Sequence, residues 1–151
     1  MKRRHLRIIT STGIVIAALA LTGFELAQFA VDATLRHWYN GASGYRAALQ
    51  LQKSTGKPIA LFFHTDWCQN CKRLREAVLA KPEVDRFLKN AIPVKINPET
   101  GSKEQKIADI YGVRGYPTFL IVGDNPHTVT RIRTNRNLSP QQFIDQCKQT
   151  I

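Results

Sequence analysis

Cys68 and Cys71 stand in the stretch Asp66-Trp67-Cys68-Gln69-Asn70-Cys71-Lys72. Two thiols with two residues between them close a small disulfide with little distortion when the first begins a helix and the second lies one turn on. The chemistry open to such a pair is thiol–disulfide exchange or, as half of a ligand set, zinc binding. At a helix N-terminus the unpaired N–H groups and the partial positive charge favour a thiolate over a thiol. Free cysteine titrates near about 8.5, and cysteines opening such pairs fall to roughly 3.5–7.5. Cys68 is therefore read as the attacking thiolate and Cys71, deeper in the helix, as the resolving thiol.

A structural zinc site needs two more ligands. The remaining candidates are Cys147 and the four histidines His5, His37, His64 and His127, none in a second paired motif, so no metal is expected. A purely structural staple is a poor reading too, because a loop this short constrains the unfolded chain little.

The flanking residues carry the pair in the required way. Pro58–His64 is an apolar run of strand length, and Cys71, Leu74, Val78 and Leu79 recur with helical period through a helix reaching about Ala80. The cysteines thus fall at a strand-to-helix junction.

At the chain start Lys2, Arg3, Arg4 and Arg7 precede the apolar run Ile14–Phe24, a basic n-region followed by an h-region. Val31-Asp32-Ala33 offers small residues for a signal peptidase; uncleaved, residues 8–24 approach the short limit of about 17 residues for a bilayer span. Signal peptide and signal anchor both stay open over residues 1–33. Either places the rest outside the cytoplasm by the positive-inside rule, where disulfides are permitted.

Residues 34–44, with Asn40-Gly41-Ala42-Ser43-Gly44, are expected to be a linker. A single domain follows over 45–151, with no repeat or low-complexity tract. A helix is predicted over Tyr45–Ser54, closed by Gly56 and Pro58, and a strand over Ile59–His64. Beyond the cysteine helix, Lys81-Pro82-Glu83 leads into a short helix with Val84, Phe87 and Leu88 inward. Ala91–Asn97 reads as a strand, 97–102 as a turn-rich loop, and Ile107, Ile110 and Tyr111 mark a helix ending at Gly112. Thr118–Val122 reads as a buried strand and Val129–Arg133 as a half-exposed one. Ser139-Pro140-Gln141-Gln142 has the residues of a capping box, with Phe143, Ile144 and Cys147 on one helical face. Cys147 is expected to serve there as a small buried apolar side chain. Strands alternating with helices and ending in a hairpin argue for an α/β domain: a mixed sheet of four to five strands covered on both faces.

Trp67-Cys68-Gln69-Asn70-Cys71-Lys72 and Tyr111-Gly112-Val113-Arg114-Gly115-Tyr116-Pro117-Thr118, in that order and spacing, resemble the thioredoxin family, and Val94-Lys95-Ile96-Asn97 resembles its central strand. The similarity runs from about Tyr45 to Ile151 and is greatest to membrane-tethered or periplasmic thioredoxin-like reductase domains. It implies a thioredoxin-like fold in which Pro117 is the cis-proline beside the cysteines and Tyr116 presents backbone to an extended substrate. Trp67 then matches the aromatic flanking the nucleophile, Lys95 matches a family lysine, and Asp66 supports the site from an exposed position. Phe62 is a departure: typical members carry a buried acid there to assist proton transfer from the resolving thiol. His64 is nearby, and a lone histidine beside a strand is more often structural.

Beyond residue 35, eighteen basic side chains face nine acidic ones, so the net charge of +11 is not confined to the N-terminal segment. An acidic partner or an anionic membrane surface fits that balance; nucleic acid does not, because no basic run is interleaved with aromatics. The sequence thus reads as an extracytoplasmic thiol-disulfide oxidoreductase exchanging with disulfide or dithiol proteins, expected to reduce the former rather than oxidise the latter. No cofactor is expected beyond its own thiols. A redox partner protein, a monomeric state and membrane contact through residues 8–24 if uncleaved are expected as well. A thioredoxin-fold binding module, holding a partner or a metal with little redox turnover, is the alternative.

Overall fold

The computed structural model describes residues 35–124 and 128–150. The targeting segment expected over 1–33 lies outside them. Among the described residues no helix is long and apolar enough to cross a membrane.

In chain order the elements are β1 (Tyr39–Asn40), α1 (Gly41–Thr55), β2 (Ile59–Phe63), α2 (Gln69–Leu74) running on into a π-turn at Arg75–Leu79, and α3 (Pro82–Leu88). There follow β3 (Ile92–Ile96), a 3-10 turn at Pro98–Thr100, α4 (Ser102–Ile110), β4 (Thr118–Val122), β5 (Val129–Ile132) and α5 (Pro140–Cys147). The strands form one mixed sheet in the order β1-β3-β2-β4-β5. β2 runs parallel to β3 and antiparallel to β4, with Phe62 opposite Lys95 on one side and Phe119 on the other.

Every residue of β2 and β4 is buried, because both strands are central and both sheet faces are covered. Alternation along β2 sends Ala60 and Phe62 to one face and Ile59, Leu61 and Phe63 to the other. The first face packs with Phe119 and Ile121 against both cysteines, Leu74, Val78, Leu88, Phe143 and Cys147. The second meets Ala48 of α1 and Ile107 and Ala108 of α4. Gln52, buried on α1, donates from Nε2 to the carbonyls of Val122 and Gly123 at 3.1 and 2.9 Å, fastening α1 across the end of β4.

Residues 35–44 are not a linker. Leu35 and Trp38 are buried in the cysteine-side core. The Trp38 ring meets Phe62 and Phe119 edge-on, with centroids 6.5 and 6.4 Å away. Tyr39 and Asn40 then pair in parallel with Val94 and Lys95. The helix begins at Gly41 rather than Tyr45, so two glycines that read as breakers lie within its first turn. Gly41 holds a left-handed φ of 62°. Gly44 is needed for close approach, since a Cβ there would lie 2.9 Å from the Tyr39 carbonyl carbon. Glu104 of α4 accepts the Ala42 N–H at 2.9 Å, satisfying one of the free donors of the helix start.

At the other end of the domain the capping box forms: Ser139 Oγ accepts from Gln142 N–H at 3.2 Å and Gln142 Oε1 accepts from Ser139 N–H at 3.0 Å. Phe143, Ile144 and Cys147 are all buried. Beyond β5 the Gln146 carboxamide accepts from Arg133 N–H at 2.9 Å and donates to its carbonyl at 3.5 Å, covering that backbone position.

Candidate functional site

The site begins where β2 runs out. His64 N–H still donates to Ile96 carbonyl at 3.0 Å, extending the β2–β3 ladder by one bond, and the chain then turns through Thr65 to Trp67. Cys68 is the N-cap of α2, with extended backbone angles and its sulfur accepting Cys71 N–H at 3.1 Å. Its carbonyl takes Lys72 N–H at 3.1 Å. The two cysteines are joined in a disulfide, with Cα atoms 5.2 Å apart. Both belong to the buried cluster, Cys68 at 6% exposure and Cys71 at 2%, so the first of the pair is the more accessible residue. The helix-start N–H that holds Cys68 Sγ in the disulfide is placed to stabilise a thiolate there after reduction.

The second motif arrives at the same place. The Tyr116–Pro117 peptide is cis. Tyr116 packs, half-buried, against the cluster containing both cysteines, and its ring meets the Trp67 ring edge-on with centroids 6.3 Å apart. Thr134 Oγ1 donates to Pro117 carbonyl at 3.2 Å and Thr118 Oγ1 to Gly115 carbonyl at 2.9 Å, so both sides of the cis bond are held by short polar contacts. Trp67 is 65% exposed, which excludes a core role.

Glu99 completes this wall and was not apparent in the sequence. The Trp67 indole Nε1–H lies 3.0 Å from both Glu99 carboxylate oxygens. Asn97 caps the 3-10 turn that carries Glu99, its side chain accepting Glu99 N–H at 3.0 Å. The signal was indirect: β2 and β3 are parallel, so the turns after their C-terminal ends share one edge of the sheet. Burial raises the Tyr116 phenol above its ordinary range, and the charges of Glu99 and Asp109 add to this.

Phe62 is fully buried, so no carboxylate lies at that position. The His64 imidazole stacks on it, centroids 5.3 Å apart. Burial, with the positive charge of Arg75 behind it, lowers the His64 pKa to about 4; Asp66 opposes this and Lys95 adds to it. His64 is thus neutral at pH 7, and Asp66 and Lys95 act electrostatically on it. Asp66 is exposed, and Lys95 is half-buried in β3. Cys147 is a free, fully buried thiol whose pKa burial pushes up to about 12. Among the described residues no group of three or more His, Cys, Asp or Glu side chains is placed to hold a metal ion.

A family model described as thioredoxin-like matches residues 37–123, more than half of the chain. The chain belongs to the thioredoxin-like family. Within it, the similar proteins include the thiol:disulfide interchange protein DsbD of Haemophilus ducreyi, 29% identical over 90 residues, covering 59% of this chain and 16% of that protein. The chloroplastic thioredoxin-like protein HCF164 of Arabidopsis thaliana is 32% identical over 109 residues, covering 72% of this chain and 38% of that one. The chain therefore aligns with only about a sixth of the DsbD proteins' length. Among solved structures, the oxidised C-terminal domain of Neisseria meningitidis DsbD superposes with a TM-score of 0.65 at 22% identity. That match covers 76% of this chain and 99% of that domain. DsbH oxidoreductase gives 0.63 at 23% identity, covering 70% and 79%. These two structures bear on the thioredoxin-like fold alone.

Proposed function

We propose that this chain is an extracytoplasmic thiol-disulfide oxidoreductase that reduces disulfides in partner proteins. The observation that carries the reading is the Cys68–Cys71 disulfide at a helix start, with Cys68 Sγ already accepting a helix-start N–H at 3.1 Å. Relatives named as thiol:disulfide interchange proteins support the same chemistry.

In the dithiol form the Cys68 thiolate attacks one sulfur of a partner disulfide, forming a mixed disulfide and releasing the other partner sulfur as a thiolate. Cys71, on losing its proton, attacks Cys68 Sγ. The second partner sulfur leaves, takes up a proton, and the Cys68–Cys71 bond is restored. Two electrons pass from this chain to the partner, so a second redox protein must return them; no other cofactor enters. Trp67 and Tyr116 form the apolar wall for the incoming segment, and the backbone before Pro117 pairs with it. Asp66 and Lys95 play a supporting electrostatic part. The basic n-region and apolar run at the chain start support the extracytoplasmic placement, with residues 8–24 as the membrane contact if retained.

Insulin reduction by the full chain, with and without Cys68→Ser, tests the activity: turnover lost in the variant is expected. Fully buried Phe62 favours a second reading, a binding module with little turnover, because no acid lies there to accept the Cys71 proton. No turnover in either protein sinks the enzyme reading in favour of that one. Direction is read from the potential of the pair. A value near about −270 mV is expected for a reductant, whereas one near about −120 mV would make the protein an oxidant.

A further inference from the structure

A groove of about 340 Å³ runs from the cysteine turn along the outer side of α2 to the chain between β5 and α5. Its floor includes Leu74, Val78 and Leu138, three members of the core that also holds the cysteines. Asn70, one of the two residues between the cysteines, stands at one end. On the far wall is Thr134, whose hydroxyl is bonded to the carbonyl of cis-Pro117. The groove is thus continuous with both motifs of the redox site. Its rim is charged on one sign only: Arg73 and Arg136 line it, both exposed, and no carboxylate does among the described residues. Arg73 leans over the cysteine turn, its Nη1 donating to Asn70 Oδ1 at 3.3 Å.

We propose that this groove receives an extended, acidic segment of the redox partner next to the partner's reactive cysteine. The inference rests on the exchange reading above and names the chemistry of the partner. An apolar floor takes one or two aliphatic side chains, and two guanidiniums on the rim select carboxylates beside them. The Trp67–Tyr116 wall carries Glu99 instead, so the two sides of the redox site differ in charge. An acidic segment is drawn to the α2 side and repelled from the other.

Two disulfide-bonded peptide substrates, identical except for aspartates or lysines following the cysteine, test this on the full chain. The neutral 2-hydroxyethyl disulfide, too small to fill the groove, serves as reference. Each exposed ion pair is worth a factor of about two to five. The aspartate peptide is therefore expected to be reduced about fivefold to tenfold faster, with the gap narrowing as salt screens it. The double variant Arg73→Glu/Arg136→Glu should reverse the order once each peptide rate is divided by the same protein's rate on the reference disulfide. The same reversal at Arg46 and Lys106, on the α1–α4 side, should not. Equal rates for the two peptides, or a preference that survives the groove variant, overturn the proposal. Failure of the reference reaction overturns the exchange reading instead. In that event, anisotropy with dye-labelled serine versions of the peptides still reads the groove: tighter binding of the aspartate peptide, lost in the groove variant, sustains it, and equal binding ends it.

Discussion

The His64 imidazole lies on the Phe62 ring with the two planes 23° from parallel. A ring so placed resists protonation, because the imidazolium would lose water and face Arg75 and Lys95, with only Asp66 to offset them. The folded-state pKa near 4 lies below the ordinary value of 6.5. Between the two the unfolded chain takes up a proton that the folded one refuses. Stability from this residue is therefore full above pH 6.5 and falls as the pH drops toward 4, by about 2 kcal/mol for a ring still partly open to water. Urea titrations at pH 7 and pH 4.5 should show His64→Phe losing less stability on acidification than the parent. An identical loss in both proteins would place the acid sensitivity elsewhere.

Cys71→Ser should stop exchange halfway. Cys68 still attacks, but no thiol is left to release the partner, so a mixed disulfide with insulin or a partner protein accumulates and runs as a higher band without reductant. Cys68→Ser should give no such band. Equal trapping by the two variants would contradict the assignment of Cys68 as the attacking sulfur.

Glu99→Ala should free the Trp67 indole. The only other tryptophan, Trp38, is buried and acts as an internal constant. Faster anisotropy decay of the exposed component is expected, with Glu99→Gln intermediate because its amide oxygen still accepts from Nε1. Stability should change by less than about 1 kcal/mol, as for most exposed contacts. An unchanged decay in Glu99→Ala would mean that Tyr116 alone holds the ring.

Phe62→Ala removes a fully buried ring touching Trp38, His64 and Phe119. A loss of about 3–5 kcal/mol is expected from denaturant midpoints. A loss below about 1 kcal/mol would show that the surrounding side chains collapse into the space.

Local signals made much of this architecture legible. The apolar runs of β2 and β4 read as buried strands because both sheet faces are covered, and α5 declared its start through Ser139 and Gln142. The cysteine pair and the covered mixed sheet were readable in this way, whereas the Tyr116–Pro117 motif was legible through its resemblance to the thioredoxin family. What escaped depends on partners distant in sequence. Tyr39 and Asn40 become a strand only because β3 offers an edge, and Gly41 opens a helix because Glu104 supplies an acceptor. The π-turn after Leu74, in which Ala80 N–H reaches Arg75 carbonyl at 2.8 Å, carries no periodicity of its own. Glu99 reaches the site through strand direction, which no local pattern encodes.

Cys147 has a consequence during biosynthesis. In the finished domain its thiol is buried on the inner face of the last helix and stays protonated, so it leaves the Cys68–Cys71 bond undisturbed. Before that helix docks, all three thiols are open to oxidation, and two of their three possible pairings cross-link the middle of the domain to its C-terminal end. During oxidative refolding, Cys147→Ala should raise the fraction of monomers with the native pairing, read on non-reducing gels; no change would mean that docking outruns oxidation. The closing helix thus acts as a proofreader in oxidative refolding: by withdrawing one thiol from exchange, it leaves a single pairing to survive.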